Sequence, residues 1–210
     1  MTLDVIYSLA DWSGNMNLLH TSLLAGLAAL VLGSPVPLRA AADPIPPAAT
    51  VPNLSGLHDF DFLVGEWHVT HRQLQGRLAN SHTWLTFDGT CSLRQVMDGY
   101  GNIDDNVLNK PTGAYRAVTL RSYDPKTGLW QIWWLDGRDP AGNLDPAMKG
   151  SFSEGIGHFY ANDTLNGQPI VVRFIWSHIM STTLRWEQAF SPDNGKTWET
   201  NWISDFQRTH

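Results

Sequence analysis

Asn102, Asp104, Asp105 and Asn106 form the densest polar cluster in the chain. Two neighbouring carboxylates can act as acid and base when their surroundings hold them in different protonation states. Flanking amides can orient a polar group of a ligand, since each carries both donors and acceptors. The same residue types also suit a solvated loop built on Asx-turns. Calcium requires six or more oxygens, and the EF-hand spacing is missing, so no metal is assigned to these residues.

Four arginines, Arg116, Arg121, Arg173 and Arg185, fall within predicted strands. An arginine inside a barrel can clamp a carboxylate through two parallel bonds. One outside would pair with Asp or Glu on a neighbouring strand. Arg121 shares a strand face with Thr119 and Tyr123, whereas Arg173 is out of phase with Phe174 and Trp176. Glu187 is likewise out of phase with Trp186 and Gln188. The candidates for catalysis are therefore Asp104, Asp105, Glu187 and Arg121, with Asp136 and Asp205 as further strand-borne carboxylates. The candidates for ligand binding are Asn102, Asp104, Asn106, Arg121, Trp133, Arg173, Trp186 and Asn201.

Ten tryptophans in 210 residues are more than a single structural plug needs, and aromatic walls suit a planar or apolar ligand. Trp133 and Trp134 are adjacent, so one faces inward and one outward. Trp198, Thr200 and Trp202 share a face if the alternation is regular. His68 and His71 lie on opposite faces of one strand and cannot chelate a metal together. With His82, His158 and His178 they are candidates for single roles, as a haem ligand or a general base. Cys91 is the lone cysteine, which excludes an intramolecular disulfide and reads as a small buried hydrophobe. No nucleophile elbow, P-loop, dinucleotide fingerprint or zinc-protease motif is present.

These residues must be positioned by strands. From Asp59 onward apolar and polar residues alternate, with turn signals every eight to twelve positions, as in a sandwich or barrel. Strands are predicted near Glu66–His71, Thr83–Phe87, Cys91–Met97, Tyr115–Tyr123, Trp130–Leu135, Gly150–Ser153, His158–Asn162, Ile170–Ser177, Thr182–Phe190 and Trp198–Gln207. Asp88-Gly89 is predicted to turn, and residues 99–106 read as a polar segment between strands. Sequential hairpins favour an all-β, antiparallel up-and-down β-barrel of about 8–10 strands, whose closure removes exposed edges. A sandwich is the alternative.

Composition narrows the partners. Formal net charge is −6 with no basic cluster, which argues against nucleic acid and anionic membrane surfaces. Residues 18–33 form an apolar run too short to span a bilayer comfortably, followed by Ala40-Ala41-Ala42. This is the order of a secretory signal peptide over residues 1–42, although no Lys or Arg precedes Arg39 and Met16 offers an alternative start. A Pro-rich, disordered tether over 43–57 and a barrel domain over 58–210 follow. The expected product is soluble and periplasmic or secreted, without membrane insertion.

The opening Phe60-Asp61-Phe62-Leu63-Val64-Gly65-Glu66-Trp67 resembles the start of a bacterial domain-of-unknown-function family in the calycin (lipocalin-like) superfamily. Gly101-Asn102-Ile103-Asp104-Asp105-Asn106, Arg121-Ser122-Tyr123-Asp124-Pro125, Trp130-Gln131-Ile132-Trp133-Trp134, Arg185-Trp186-Glu187-Gln188-Ala189-Phe190 and Trp198-Glu199-Thr200-Asn201-Trp202 extend the resemblance over residues 58–208. It implies a barrel in which Trp67 plugs the closed end and Arg208 packs over it. It implies no particular activity. The leading expectation is an exported barrel that binds a small hydrophobic or aromatic molecule without a cofactor. A cofactor-free lyase, isomerase or cyclase in the same cup is the alternative, and haem binding through one histidine is a second.

Overall fold

The computed structural model describes residues 51–142 and 144–209. The expected signal peptide and the first part of the tether lie outside the described residues. Ten strands form one closed antiparallel barrel in strict chain order. They are β1 (Gly65–Leu74), β2 (Trp84–Val96), β3 (Gly101–Lys110), β4 (Gly113–Asp124), β5 (Leu129–Asp136), β6 (Met148–Ser153), β7 (Ile156–Leu165), β8 (Gln168–Ser177), β9 (Thr183–Ser191) and β10 (Glu199–Arg208). β10 returns to β1, pairing Arg208 with Trp67 and Trp202 with Gln73. This closure gives both terminal strands a hydrogen-bonded neighbour on each side.

Two local expectations are corrected. Asp88-Gly89 does not turn, because β2 runs unbroken from Trp84 to Val96. Leu85, Phe87, Gly89, Cys91 and Leu93 keep one phase across it, β1 pairs with both residues, and β3 pairs from Gly89 onward. That pairing outweighs the turn preference of the dipeptide. Residues 101–106 are likewise no loop. The chain reverses over Met97, Asp98 and Gly99, all in the left-handed region (φ 53°, 52° and 89°). It then enters β3, where Asn102, Asp104, Asn106 and Leu108 face inward and Ile103 and Asp105 face outward. Polar residues occupy strand positions here because they hydrogen-bond one another inside the barrel.

Residues 53–57, expected within the tether, are held by hydrogen bonds to the barrel. The Asn53 amide donates to the Pro125 carbonyl, and the Tyr123 hydroxyl donates to the Asn53 carbonyl at 2.9 Å. Trp130 Nε1 donates to the Gly56 carbonyl at 2.8 Å. Residues 53–57 thus cap the closed end of the barrel.

A short 3-10 turn, Asp61–Leu63, carries the plug into that end. Phe60 meets Phe152, Trp130 and Trp176 edge-on at 5.0, 5.1 and 5.7 Å between ring centres, the geometry that aromatic quadrupoles favour. Trp67 is almost fully buried, and its indole N–H donates to the Leu63 carbonyl at 2.8 Å. The Arg208 guanidinium lies 4.1 Å above the Trp67 ring. It donates to the carbonyls of Val64, Phe62 and Ser181. One side chain therefore ties the last strand to the turn before the first, as the resemblance implied.

Trp67→Ala should cost about 3–5 kcal/mol of stability through the cavity it leaves. Equilibrium urea unfolding measures this. A loss below about 1 kcal/mol would show that the closed end does not depend on the indole.

Candidate functional site

The end of the barrel opposite the plug opens into a cavity of about 530 Å³. A pocket of this size accommodates a drug-sized molecule. Its walls differ in character. Ile132, Trp134, Met148, Ile170, Val172, Phe174 and Trp186, on β5 to β9, form an apolar and largely aromatic side. His71, Asp104, Asn106, Thr119, Arg121 and Ser204, on β1, β3, β4 and β10, form a polar side. In the barrel order β10, β1, β2, β3 and β4 are consecutive, and so are β5 to β9.

The polar side is organised by a buried ion pair. Arg121 and Asp104 are 3% and 2% exposed, and Arg121 Nη1 donates to Asp104 Oδ2 at 2.7 Å. The same Nη1 donates to Asn102 Oδ1 at 3.0 Å. The other Asp104 oxygen accepts the Thr119 backbone N–H at 3.0 Å and a short bond from Asn106 Nδ2 at 2.5 Å. A buried charge persists only when it is paired and its remaining lone pairs are satisfied. Asp104 meets that condition at both oxygens. The Arg121 guanidinium also lies 5.2 Å from the Phe60 ring and 5.4 Å from Trp176, so the pair joins the cavity floor to the plug. Arg121 Nε is buried without a partner among the described residues.

His71 is the second titratable group in the cavity wall. Its Nδ1 lies 2.9 Å from Ser204 Oγ and receives the Trp202 indole N–H at 3.3 Å. An indole N–H only donates, so Nδ1 is the accepting nitrogen and the proton sits on Nε2. The ring stacks on Phe87 at 4.8 Å. It also fills the space above Gly89, where a Cβ would come within 2.8 Å of Nε2. Burial pushes the imidazole down to about 4, outweighing the opposing field of Asp88. Cys91 is buried on the same inner face, and burial followed by the charge of Asp104 pushes its thiol up.

The structure brings together part of the sequence-predicted set. Asn102, Asp104, Asn106, Arg121 and Trp186 are inside. Asn201 is fully buried and accepts a bond from Gln188 Nε2 at 2.8 Å, which makes it a support for a cavity-lining amide. The other four are not in the cavity. Asp105 is on the outer face, ion-paired with Arg116. Glu187 is on the outer face of β9, alternating with cavity-lining Trp186 and Gln188. Trp133 faces outward while Trp134 lines the cavity, in phase with Trp130 and Ile132. Arg173 faces outward and stacks on Trp198 at 4.2 Å. In each case one step along the strand changes the face.

The expected common face of Trp198, Thr200 and Trp202 is broken by a bulge between Thr200 and Trp202, with Asn201 as the extra residue. This turns Trp202 into the cavity beside His71. His71, Trp134, Gln188, Trp202 and Ser204 are therefore site residues that the sequence-based set omits. For Trp134 the signal was its phase with Ile132. For Trp202 there was none, because a bulge is invisible to alternation. Among the described residues no group of three or more His, Cys, Asp or Glu could hold a metal ion.

No family model and no curated protein sequence matches the chain. Among solved structures it is similar to S-type phycobiliprotein lyase CPES from Guillardia theta, with 11% identity, a TM-score of 0.46 and coverage of 72% of this chain and 90% of that one. It is also similar to EF1p2_mFAP2b bound to DFHBI, with 11% identity, a TM-score of 0.38 and coverage of 74% and 100%. Likenesses this distant bear on neither the site nor its function.

Two outcomes follow from this geometry. Arg121→Met strands a buried carboxylate and should cost about 3–5 kcal/mol. Adding Asp104→Asn should recover much of that loss, and a double-mutant cycle additive to within about 0.5 kcal/mol would contradict the coupling. His71 takes up a proton near 6.5 when unfolded but only near 4 when folded. Between those values the unfolded chain binds more protons, so stability falls as pH drops, by up to about 3 kcal/mol in all. His71→Gln should remove that part of the pH dependence. A slope identical to the wild type would show that His71 is not held neutral.

Proposed function

We propose that the protein binds a small, largely apolar or aromatic molecule in the barrel cavity. One observation carries this reading. The cavity has an aromatic wall on one side and a hydrogen-bonded polar network on the other. The β5–β9 wall offers ring faces and aliphatic surface to a flat or apolar body. The opposite wall offers hydrogen-bonding groups at fixed positions. These include the half-buried Asn106 and the Arg121 guanidinium.

Turnover by acid–base chemistry has weaker support. A general base needs an available lone pair within reach of the proton it takes. Both oxygens of Asp104 already accept hydrogen bonds. The accepting nitrogen of His71 is engaged by Ser204 and Trp202, and its other nitrogen lies against Gly89. That engagement also weighs against His71 as a haem ligand. The network is arranged to orient a bound molecule. Export to the periplasm or outside the cell suits a carrier or scavenger of such molecules, and it remains part of the proposal.

Ala161 lines the apolar wall. Ala161→Trp should fill the cavity and weaken binding of N-phenyl-1-naphthylamine by about tenfold or more, with the thermal midpoint retained. Fluorescence titration reads the affinity. No saturable binding to the wild-type protein, or equal affinity in the variant, would remove the cavity as the binding site.

A further inference from the structure

The mouth of the cavity is electrically divided. On one side stand Lys110, at the end of β3, and Arg77, in the β1–β2 connection. Lys110 Nζ donates to Gln73 Oε1 at 2.6 Å and lies 5.5, 5.7 and 5.9 Å from the ring centres of Phe87, Tyr115 and Trp202. Arg77 lies 5.4 Å from the Phe190 ring. Arg138 joins them, 4.0 Å over Tyr115, but both Asp136 oxygens hold it. Glu199, near Arg77, accepts the Leu78 amide at 2.7 Å. Among the described residues neither Lys110 nor Arg77 has a carboxylate at ion-pairing distance.

Two further acids without a cation stand elsewhere. Asp145, in the β5–β6 connection, and Asp163, on β7, also line the cavity. β7 is four strands from β3 in a ten-strand ring, nearly opposite. Asp145 is held above the usual carboxylate range by burial, then by the charges of Asp163 and Asp136. On the cationic side, burial lowers Lys110, and the charges of Arg138 and Arg77 lower it further. Like charges held together in partly desolvated positions gain most from an incoming opposite charge.

We propose that Lys110 and Arg77 form an anion-binding lip, and that the ligand is an amphiphile with an apolar or aromatic body and one anionic head of the carboxylate or sulfonate class. This rests on the cavity being the binding site. The body lies against the β5–β9 wall, and the head sits at the β3 side of the mouth. The Asp145–Asp163 side repels the head and so fixes its direction. The Arg121–Asp104 pair at the floor is already neutral as a unit, so a second anion has no reason to travel that deep.

Two fluorescent probes with one ring system separate the claims. N-phenyl-1-naphthylamine is neutral, and 8-anilinonaphthalene-1-sulfonate adds one anionic group. In the Lys110→Met/Arg77→Met variant, sulfonate affinity should fall by about tenfold or more, while neutral-probe affinity stays within about twofold. Retained neutral binding shows that the variant is folded. In the wild-type protein, raising salt from about 0.05 to about 0.5 M should weaken the sulfonate probe and leave the neutral one unchanged. Equal changes for both probes, or a sulfonate affinity insensitive to salt, would overturn the anionic lip while leaving the cavity reading intact. Failure of both probes to bind the wild type would overturn the cavity reading itself.

Discussion

The structure depends on the seam between β1 and β10. A meander of ten strands is a curved sheet with two open edges until its first and last members pair. Here they pair from Trp67–Arg208 to Gln73–Trp202. Arg208 reinforces that seam from the closed end, where its guanidinium reaches three carbonyls and the face of Trp67. Because the seam closes, every strand has a defined inside, and the inside can hold buried polar groups that an open sheet would leave to water. The Arg121–Asp104 pair and the neutral His71 both belong to that enclosed interior.

Placing a polar wall beside an aromatic one has an energetic logic. Buried charge is tolerated where it is fully partnered, and Asp104 collects its partners from β3 and β4, adjacent strands whose register fixes their spacing. Apolar surface needs no such register, so the remaining strands can carry bulky side chains that leave a void between them. The plug and the polar network are closely partnered, whereas the aromatic wall can stay incompletely packed.

Much of this architecture was legible in the sequence. Turn signals and alternation favoured the antiparallel barrel over a sandwich, and the resemblance of the Gly65–Trp67 opening implied its closed end. Legibility failed where a local signal competed with tertiary pairing. Asp88-Gly89 has the chemistry of a turn, but it is spanned by a strand with partners on both sides. The Asn102–Asn106 segment has the composition of a loop, and only its mutual hydrogen bonding reveals a strand. Site residues were legible in proportion to the certainty of phase. Arg121 shared a face with Thr119 and Tyr123, so its place inside followed once that face was known. Trp133, Glu187 and Arg173 were on the wrong side of the same alternation. The sequence supplied the alternation but not which phase was inside.

The bulge at Asn201 shows how fine that dependence is. β10 contains one residue more than its partner requires between Thr200 and Trp202. The surplus residue acts as a gear tooth: every side chain beyond it, from Trp202 to Arg208, takes its side of the wall from this one position. A change in strand length here would therefore reach well beyond the bulge. It would move the indole that holds His71, the serine that shares that histidine, and the arginine that closes the seam, all together and without altering any of them chemically. For this barrel, the count of residues in one strand is as much a determinant of the cavity as the identity of any residue lining it.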